Sequence, residues 1–329
     1  MFAFMTQTNR HALVKIVLAF AAIYIIWGTT YLAIRIAVES MPAFLMAGIR
    51  FVTAGTITFA VLRVRGVSLP TRGQWRSAAI IAAFLLVGGN GLVTWSEKQV
   101  PSSIAALVVA TMPLWMTLFD WLLFRGTKPG RQTAVGLLLG FVGIGLLVGP
   151  GQIRGTASFD LLSLLVLMAA PILWSLGSLY SRGVSLPENI FMTTAMEMLM
   201  GGGLLLLAGL ITGEASQLQV AAITGQSLWA LLYLILFGSI VAYTAYVWLL
   251  KRVHLARVAT YTYINPIVAV ALGWLILSEP ITPLMLAAMV IIVLAVILIT
   301  AQRPKKAVTA PPAATLPASL AANPSPSMD

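Results

Sequence analysis

The chain has 329 residues, of which 60% are hydrophobic and 9% charged, with a formal net charge of +11. A soluble protein keeps about a quarter of its residues charged, so these are too few to cover a water-facing surface, and lipid must surround most side chains. Cysteine is absent, which excludes disulfides, thiolate catalysis and thiolate metal sites.

A helix needs roughly 20 apolar residues to cross a hydrocarbon layer of about 30 Å. Backbone groups in that layer must be paired inside the segment or in a closed barrel. The apolar runs are long and do not alternate, so they predict helices and not barrel strands. In chain order the predicted spans are 16–34, 42–62, 77–95, 102–124 and 132–149, then 159–180, 189–211, 227–249, 257–277 and 282–301. Residues 1–15 precede them, 150–158 form a linker, and the Pro-, Ala- and Ser-rich tail 302–329 cannot bury a core and is expected to be disordered.

The same unit is written twice. Trp27, Leu32 and Arg35 recur as Trp174, Leu179 and Arg182 at an offset of 147, and Pro113 and Trp121 recur as Pro266 and Trp274 at 153. Each copy holds five spans, an odd number, so the second must be upside down relative to the first. The expected fold is therefore an all-α integral membrane protein of ten transmembrane helices, built as two inverted five-helix repeats over 16–149 and 159–301. That is a secondary-transporter architecture with a site where the halves meet.

With the N-terminus in the cytoplasm, the inner loops and tails carry sixteen Lys and Arg residues and the outer side only Arg35, Lys98 and Arg154. This positive-inside bias places both termini in the cytoplasm. The basic excess is thus topological, holding inner loops near anionic lipid, and no nucleic-acid partner is expected. The loop after span 6 is the weak point, because Arg182 and Glu188 cancel.

Catalytic and metal chemistry find little support. The histidines are His11 and His254, one before the first span and one in a basic loop, and no His/Glu pair has ligand spacing. No phosphate-binding loop is present. No cofactor or metal is expected, nor an enzyme, although a membrane enzyme acting on lipids or isoprenoids is the competing class.

Charges inside spans demand partners or a cavity. Arg50 in span 2 and Glu197 in span 7 are related by the 147 offset and carry opposite charge. They read as an intramembrane ion pair, as two separate pairings with helix ends and hydroxyls, or as a gate or coupling group in which Glu197 exchanges a proton. Asp120, near the inner end of span 4, reads as an interfacial acid reaching water, Arg125 or Arg131.

Polar and aromatic residues at helical spacing mark faces turned from lipid. Tyr24, Trp27, Tyr31 and Arg35 form one such stripe, and Asn90, Thr94 and Glu97 another that runs toward the outer mouth. Trp174 with Ser178, Tyr243 with Tyr246, and Tyr261 with Asn265 continue the pattern in spans 6, 8 and 9. These residues either line a central cavity or form packing hydrogen bonds between helices. Pro113 and Pro266 sit mid-span at matching places and predict kinks. Gly136, Gly140, Gly143, Gly145 and Gly149 give span 5 a smooth face for packing within the monomer or in a homodimer.

The stretch Ile26-Trp27-Gly28-Thr29-Thr30-Tyr31 with Arg35, followed by Ala47-Gly48-Ile49-Arg50-Phe51, resembles the opening of an EamA-type repeat of the drug/metabolite transporter superfamily. The second copy is similar from Trp174 through Glu197 to Tyr263-Ile264-Asn265-Pro266 and Ser278-Glu279-Pro280. The resemblance implies a bacterial inner-membrane carrier, often exporting metabolites such as amino acids. It also implies a cavity made by the first, third and fourth helices of each half, near Trp27, Asn90, Trp174, Tyr243 and Asn265. One departure is that the acid closing the fourth helix occurs only as Glu279, its counterpart being Gly126. The expected function is alternating-access transport of a small amphipathic substrate, with membrane lipids as the other partner and a flippase or channel as rivals within transport.

Overall fold

The computed structural model describes residues 7–153, 160–253 and 255–300. Most of the expected linker, the C-terminal tail, Arg154 and His254 lie outside the described residues. Within them all regular structure is helical. The main helices are α1 (Gln7–Val38), α2 (Ala43–Val64), α3 (Arg72–Ser96), α4 (Ser102–Leu123), α5 (Arg131–Ile153), α6 (Leu161–Tyr180), α7 (Ile190–Ile211), α8 (Gly225–Leu250), α9 (Tyr261–Leu277) and α10 (Pro283–Thr300). Eight are long and apolar enough to cross a membrane, and two shorter apolar helices, Arg131–Leu147 within α5 and Tyr261–Leu277, accompany them.

Several boundaries and shapes depart from expectation. Helix α1 starts at Gln7, inside the segment expected to precede the first span, and α5 continues to Ile153, into the expected linker. Helix α4 is broken at Ala110–Thr111, just before Pro113, which then occupies the first turn of Met112–Leu123. There its missing N–H removes no hydrogen bond, and the Thr111 hydroxyl donates to the Val108 carbonyl at 2.6 Å. The span expected over 257–277 is likewise split, into Leu255–Val258 and α9. Hydroxyls of Thr260 and Thr262 take the carbonyls of Arg257 and Ala259, a local competition with helix bonding. Pro266 lies inside α9, which runs on through it. In α3 and α8 the helix widens to π geometry over Ala83–Gly91 and Leu234–Tyr243, at matching places in the two halves.

Packing follows one scheme. Helix α1 packs on α8 and α9, and α6 packs on α3 and α4. Shifting each helix number by five turns the first statement into the second. The remaining large contacts join helices already related by that shift, α2 with α7 and α5 with α10. Glycine makes both seams tight. A Cβ on Gly202 would lie 2.6 Å from the Val52 backbone nitrogen, and one on Gly55 would lie 2.9 Å from that of Leu199. In α5, Gly136 and Gly143 meet α10 while Gly140 meets Leu114 of α4, so the smooth face is used within the chain.

Large apolar side chains such as Leu138, Leu165, Leu210 and Val290 point outward, whereas Arg50, Glu97, Glu197 and Asn265 are buried. This distribution suits a lipid surround with polar contacts inside. At one end, carboxylates from the second half cap helices of the first. Glu214 accepts from Leu45 N at 3.0 Å. Glu279 accepts from Ser102 N at 2.8 Å, Ser102 Oγ at 2.7 Å and Ser103 N at 3.0 Å, satisfying orphan donors at the start of α4.

The α2–α7 seam yields a direct expectation. Gly202→Val forces a branched side chain into the α2 backbone and should destabilise the protein by about 1–3 kcal/mol, as overpacking does. Gly203, whose added Cβ would meet nothing within 4 Å, should tolerate the same change. Melting temperatures of the two variants in detergent check this.

Candidate functional site

Where the two halves meet, a cavity is walled by α1, α2, α3, α4, α6, α8 and α9. Trp27, Tyr31, Asn90, Trp174, Tyr243, Tyr261 and Asn265 line it, as does Arg50. The other three candidate cavity residues stand behind the wall. The Thr94 hydroxyl donates to the Asn90 carbonyl at 2.8 Å, and the Ser178 hydroxyl to that of Trp174 at 2.8 Å. Tyr246 is fully buried behind Trp27 and Trp174.

A layer of aromatic rings closes one side of the cavity. The Trp27 ring lies 5.0 Å from Tyr246, 5.1 Å from Tyr261 and 5.7 Å from Trp174, which it meets edge-on at 88°. Such pairs contribute about 0.5–1.5 kcal/mol each beyond area burial. Their polar atoms are all engaged. Trp174 Nε1 donates to Tyr246 Oη at 3.1 Å, Ser178 Oγ and Tyr246 Oη lie 2.9 Å apart, and Tyr261 Oη donates to Met112 Sδ at 3.2 Å. Trp27 Nε1 donates at 3.3 Å to the Gly238 carbonyl, in the widened stretch of α8. The layer is dense enough that a Cβ on Gly89 would lie 2.5 Å from the Trp174 ring. The Asn265 amide, oriented by its neighbours, donates to the carbonyls of Tyr24 and Tyr261 at 3.0 and 3.1 Å.

Arg50 and Glu197 do not form the ion pair considered above. Each bonds instead to a hydroxyl of α8. Arg50 Nε donates to Ser239 Oγ at 2.8 Å, and Tyr243 Oη donates to Glu197 Oε2 at 2.8 Å. Ser239 and Tyr243 are four residues apart on α8, so one helix serves both charges. Among the described residues the one salt bridge joins Arg182 to Asp120 at 3.4 Å, both half-exposed. Asp120 therefore takes Arg182, and not Arg125 or Arg131.

Glu97, expected to run toward a mouth, is completely buried, and neither carboxylate oxygen has a partner. Arg35 donates to its main-chain carbonyl. Burial raises the Glu97 carboxyl well above its ordinary pKa, the nearby Glu279 raises it further, and Arg35 opposes both.

Comparison with known proteins decides what this frame belongs to. The model of the EamA-like transporter family matches residues 14–149 and again 161–301. The chain belongs to the EamA-like transporter family. This transporter is 41% identical over 298 residues to YedA of Escherichia coli (strain K12), described as an uncharacterized inner membrane transporter, covering 89% of this chain and 94% of YedA. It is 25% identical over 282 residues to YvbV of Bacillus subtilis (strain 168), an uncharacterized transporter, covering 86% and 90% of the two chains. A solved crystal structure at 22% identity shares the fold with a TM-score of 0.62, over 88% of this chain and 98% of that one.

Some cavity residues of this EamA-like transporter escape sequence reasoning. Pro171, inside α6, lines the wall, and its signal was a proline in an apolar run, overlooked because it has no counterpart in the other half. Gly89 and Gly238 also line the wall. The clustering of Gly88, Gly89 and Gly91 in one span was the signal for Gly89.

The Tyr243–Glu197 bond gives a second expectation. Tyr243→Phe leaves a buried carboxylate without its donor and should destabilise the protein by about 1–3 kcal/mol. Repeating the change in Glu197→Gln protein should have a smaller effect, because the two side chains are coupled. A four-variant thermal unfolding series in detergent measures the coupling, and additive effects count against it.

Proposed function

We propose that this transporter is a secondary carrier. It moves small amphipathic metabolites, of which amino acids are examples, by alternating access of two inverted five-helix repeats around the central cavity. The carrying observation is the origin of the wall: Trp27 and Trp174, like Asn90 and Tyr243, come from equivalent helices of the two halves, and the two Trp rings meet edge-on there. The shift-by-five packing scheme supports the repeat, and the odd number of spans per repeat supports its inversion. The excess of basic residues in alternate loops supports a topology with both termini cytoplasmic. The description of YedA as an inner membrane transporter supports that membrane as the location.

The aromatic layer favours a carrier over a channel, because the rings of Trp27, Tyr246 and Tyr261 pack on one another beside the cavity. Movement of those rings is the gating event, and the cavity beyond them holds the substrate. Glu197 sits directly behind the wall on Tyr243 and is the group placed to couple a proton to that movement.

Purified protein in proteoliposomes tests both claims. Counterflow of a panel of labelled amino acids and organic acids should show saturable flux for at least one compound, and Trp27→Ala should lower that flux at least tenfold. Flux that never saturates, or that ignores Trp27, overturns the carrier reading. In the same vesicles Glu197→Gln should abolish acceleration by an imposed pH gradient, and an unchanged response removes Glu197 from the coupling.

A further inference from the structure

Arg50 presents an anomaly that the carrier reading leaves unused. Its side chain is 2% exposed, sits on helix α2 at the cavity wall, and has a single hydrogen bond, from Nε to Ser239. Nη1 is buried with no partner. Beneath it the guanidinium lies 4.6 Å from the centre of the Phe51 ring, a stacking contact that occupies a face and leaves the N–H edge free. Gly238 is what lets the group reach this place, since a Cβ there would lie 2.8 Å from Nη2. No carboxylate of the described residues lies within salt-bridge distance of Arg50.

A buried cation without a counter-ion is strongly disfavoured and persists where something else supplies the opposite charge. The wall residues narrow what that can be. Among them Arg50 is the one permanently charged side chain, and neither Asp nor Glu is present. The rest of the lining is largely aromatic and aliphatic, with Thr30, Asn90 and Asn265 as neutral polar groups. A guanidinium fork matches a carboxylate through two parallel hydrogen bonds, whereas an ammonium would find no anion on this wall.

We infer that Arg50 is the anchor of a carboxylate subsite, and that the cavity takes small organic monocarboxylates of net negative charge with an aromatic or branched apolar body. The carboxylate meets the free edge of Arg50, and the apolar body lies against Trp27 and Trp174. This inference rests on the carrier reading for its biological meaning, but its test is a binding measurement independent of flux.

Trp27 and Trp174, two of the nine tryptophans, lie at the proposed site and report on its occupancy. Intrinsic fluorescence of purified protein in detergent is titrated with 3-phenylpropionate, with its amide, with L-phenylalanine, which adds only an ammonium, and with sodium sulfate. Saturable quenching by 3-phenylpropionate, at least tenfold tighter than by the amide and several-fold tighter than by phenylalanine, is the expected result. Arg50→Gln should erase the preference over the amide. Arg50→Lys, which keeps the charge but not the fork, should retain a reduced preference, and it serves if the glutamine variant does not fold. Equal binding of the amide or of phenylalanine, a response to sulfate matching that to phenylpropionate, or no saturable response to phenylpropionate overturns the assignment. Such a result leaves the counterflow experiment standing, and failure of counterflow leaves the binding preference measurable.

Discussion

Two opposite charges lie inside an apolar bundle and take their partners from one helix, and the site is arranged around that constraint. A buried ion needs partners. Arg50 and Glu197 occupy equivalent places in the two halves on the packed helices α2 and α7, yet no direct bridge joins them. The partners come instead from successive turns of α8, through Ser239 and Tyr243. Both hydroxyls lie in the π-widened stretch Leu234–Tyr243, whose geometry recurs at functional sites in helical proteins. The same stretch supplies the carbonyl that accepts from Trp27 and the glycine that admits Arg50. Position of the charges, order of the aromatic layer and existence of the cavity are thus one problem, solved on α8.

The glycine seams do complementary work. The α2–α7 and α5–α10 contacts bring backbones close through Gly55, Gly202, Gly136 and Gly143. In lipid, apolar side chains gain little by leaving a surround as apolar as themselves, so close van der Waals contact between small residues holds helices together. These seams join the halves along their flanks, and the central helices α1, α3, α6, α8 and α9 are then free to carry polar and aromatic side chains.

The sequence made the membrane class, the duplication and much of the cavity wall legible, because each is a matter of periodicity and composition. Trp27, Asn90, Trp174, Tyr243 and Asn265 are deep residues on polar or aromatic stripes, and the wall is where they lie. Thr94 and Ser178 obey the same spacing and are absent from the wall for a definite reason. A short hydroxyl side chain reaches back to the carbonyl four residues earlier, and both do so. The widened stretches and the break before Pro113 depend on which carbonyl each N–H finds, which no stripe encodes. The separation of Arg50 from Glu197 was open because equivalence in a repeat fixes depth and not neighbours. Burial of Glu97 beside the Glu279 cap joins segments far apart in sequence and left no local trace.

The two ends of the molecule show how a duplicated backbone diverges by side chain alone. Helices α4 and α9 finish in the same turn. Arg125 and Ser278 both take left-handed backbone angles, with φ of 57° and 54°, and Gly126 N and Glu279 N reach back to the carbonyls of Asp120 and Gly273. All three pairs are related by the 153 offset. The acid has moved within this shared frame, sitting before the turn as Asp120 in the first half and after it as Glu279 in the second. After the turn it reaches the start of α4 and accepts three buried hydrogen bonds, each charge-assisted and therefore strong. Before the turn it meets Arg182 in a half-exposed bridge, a kind of contact that contributes about 0–1 kcal/mol. One backbone motif thus closes one end firmly and the other lightly, and the difference in strength follows from a six-residue change in where the carboxylate is carried.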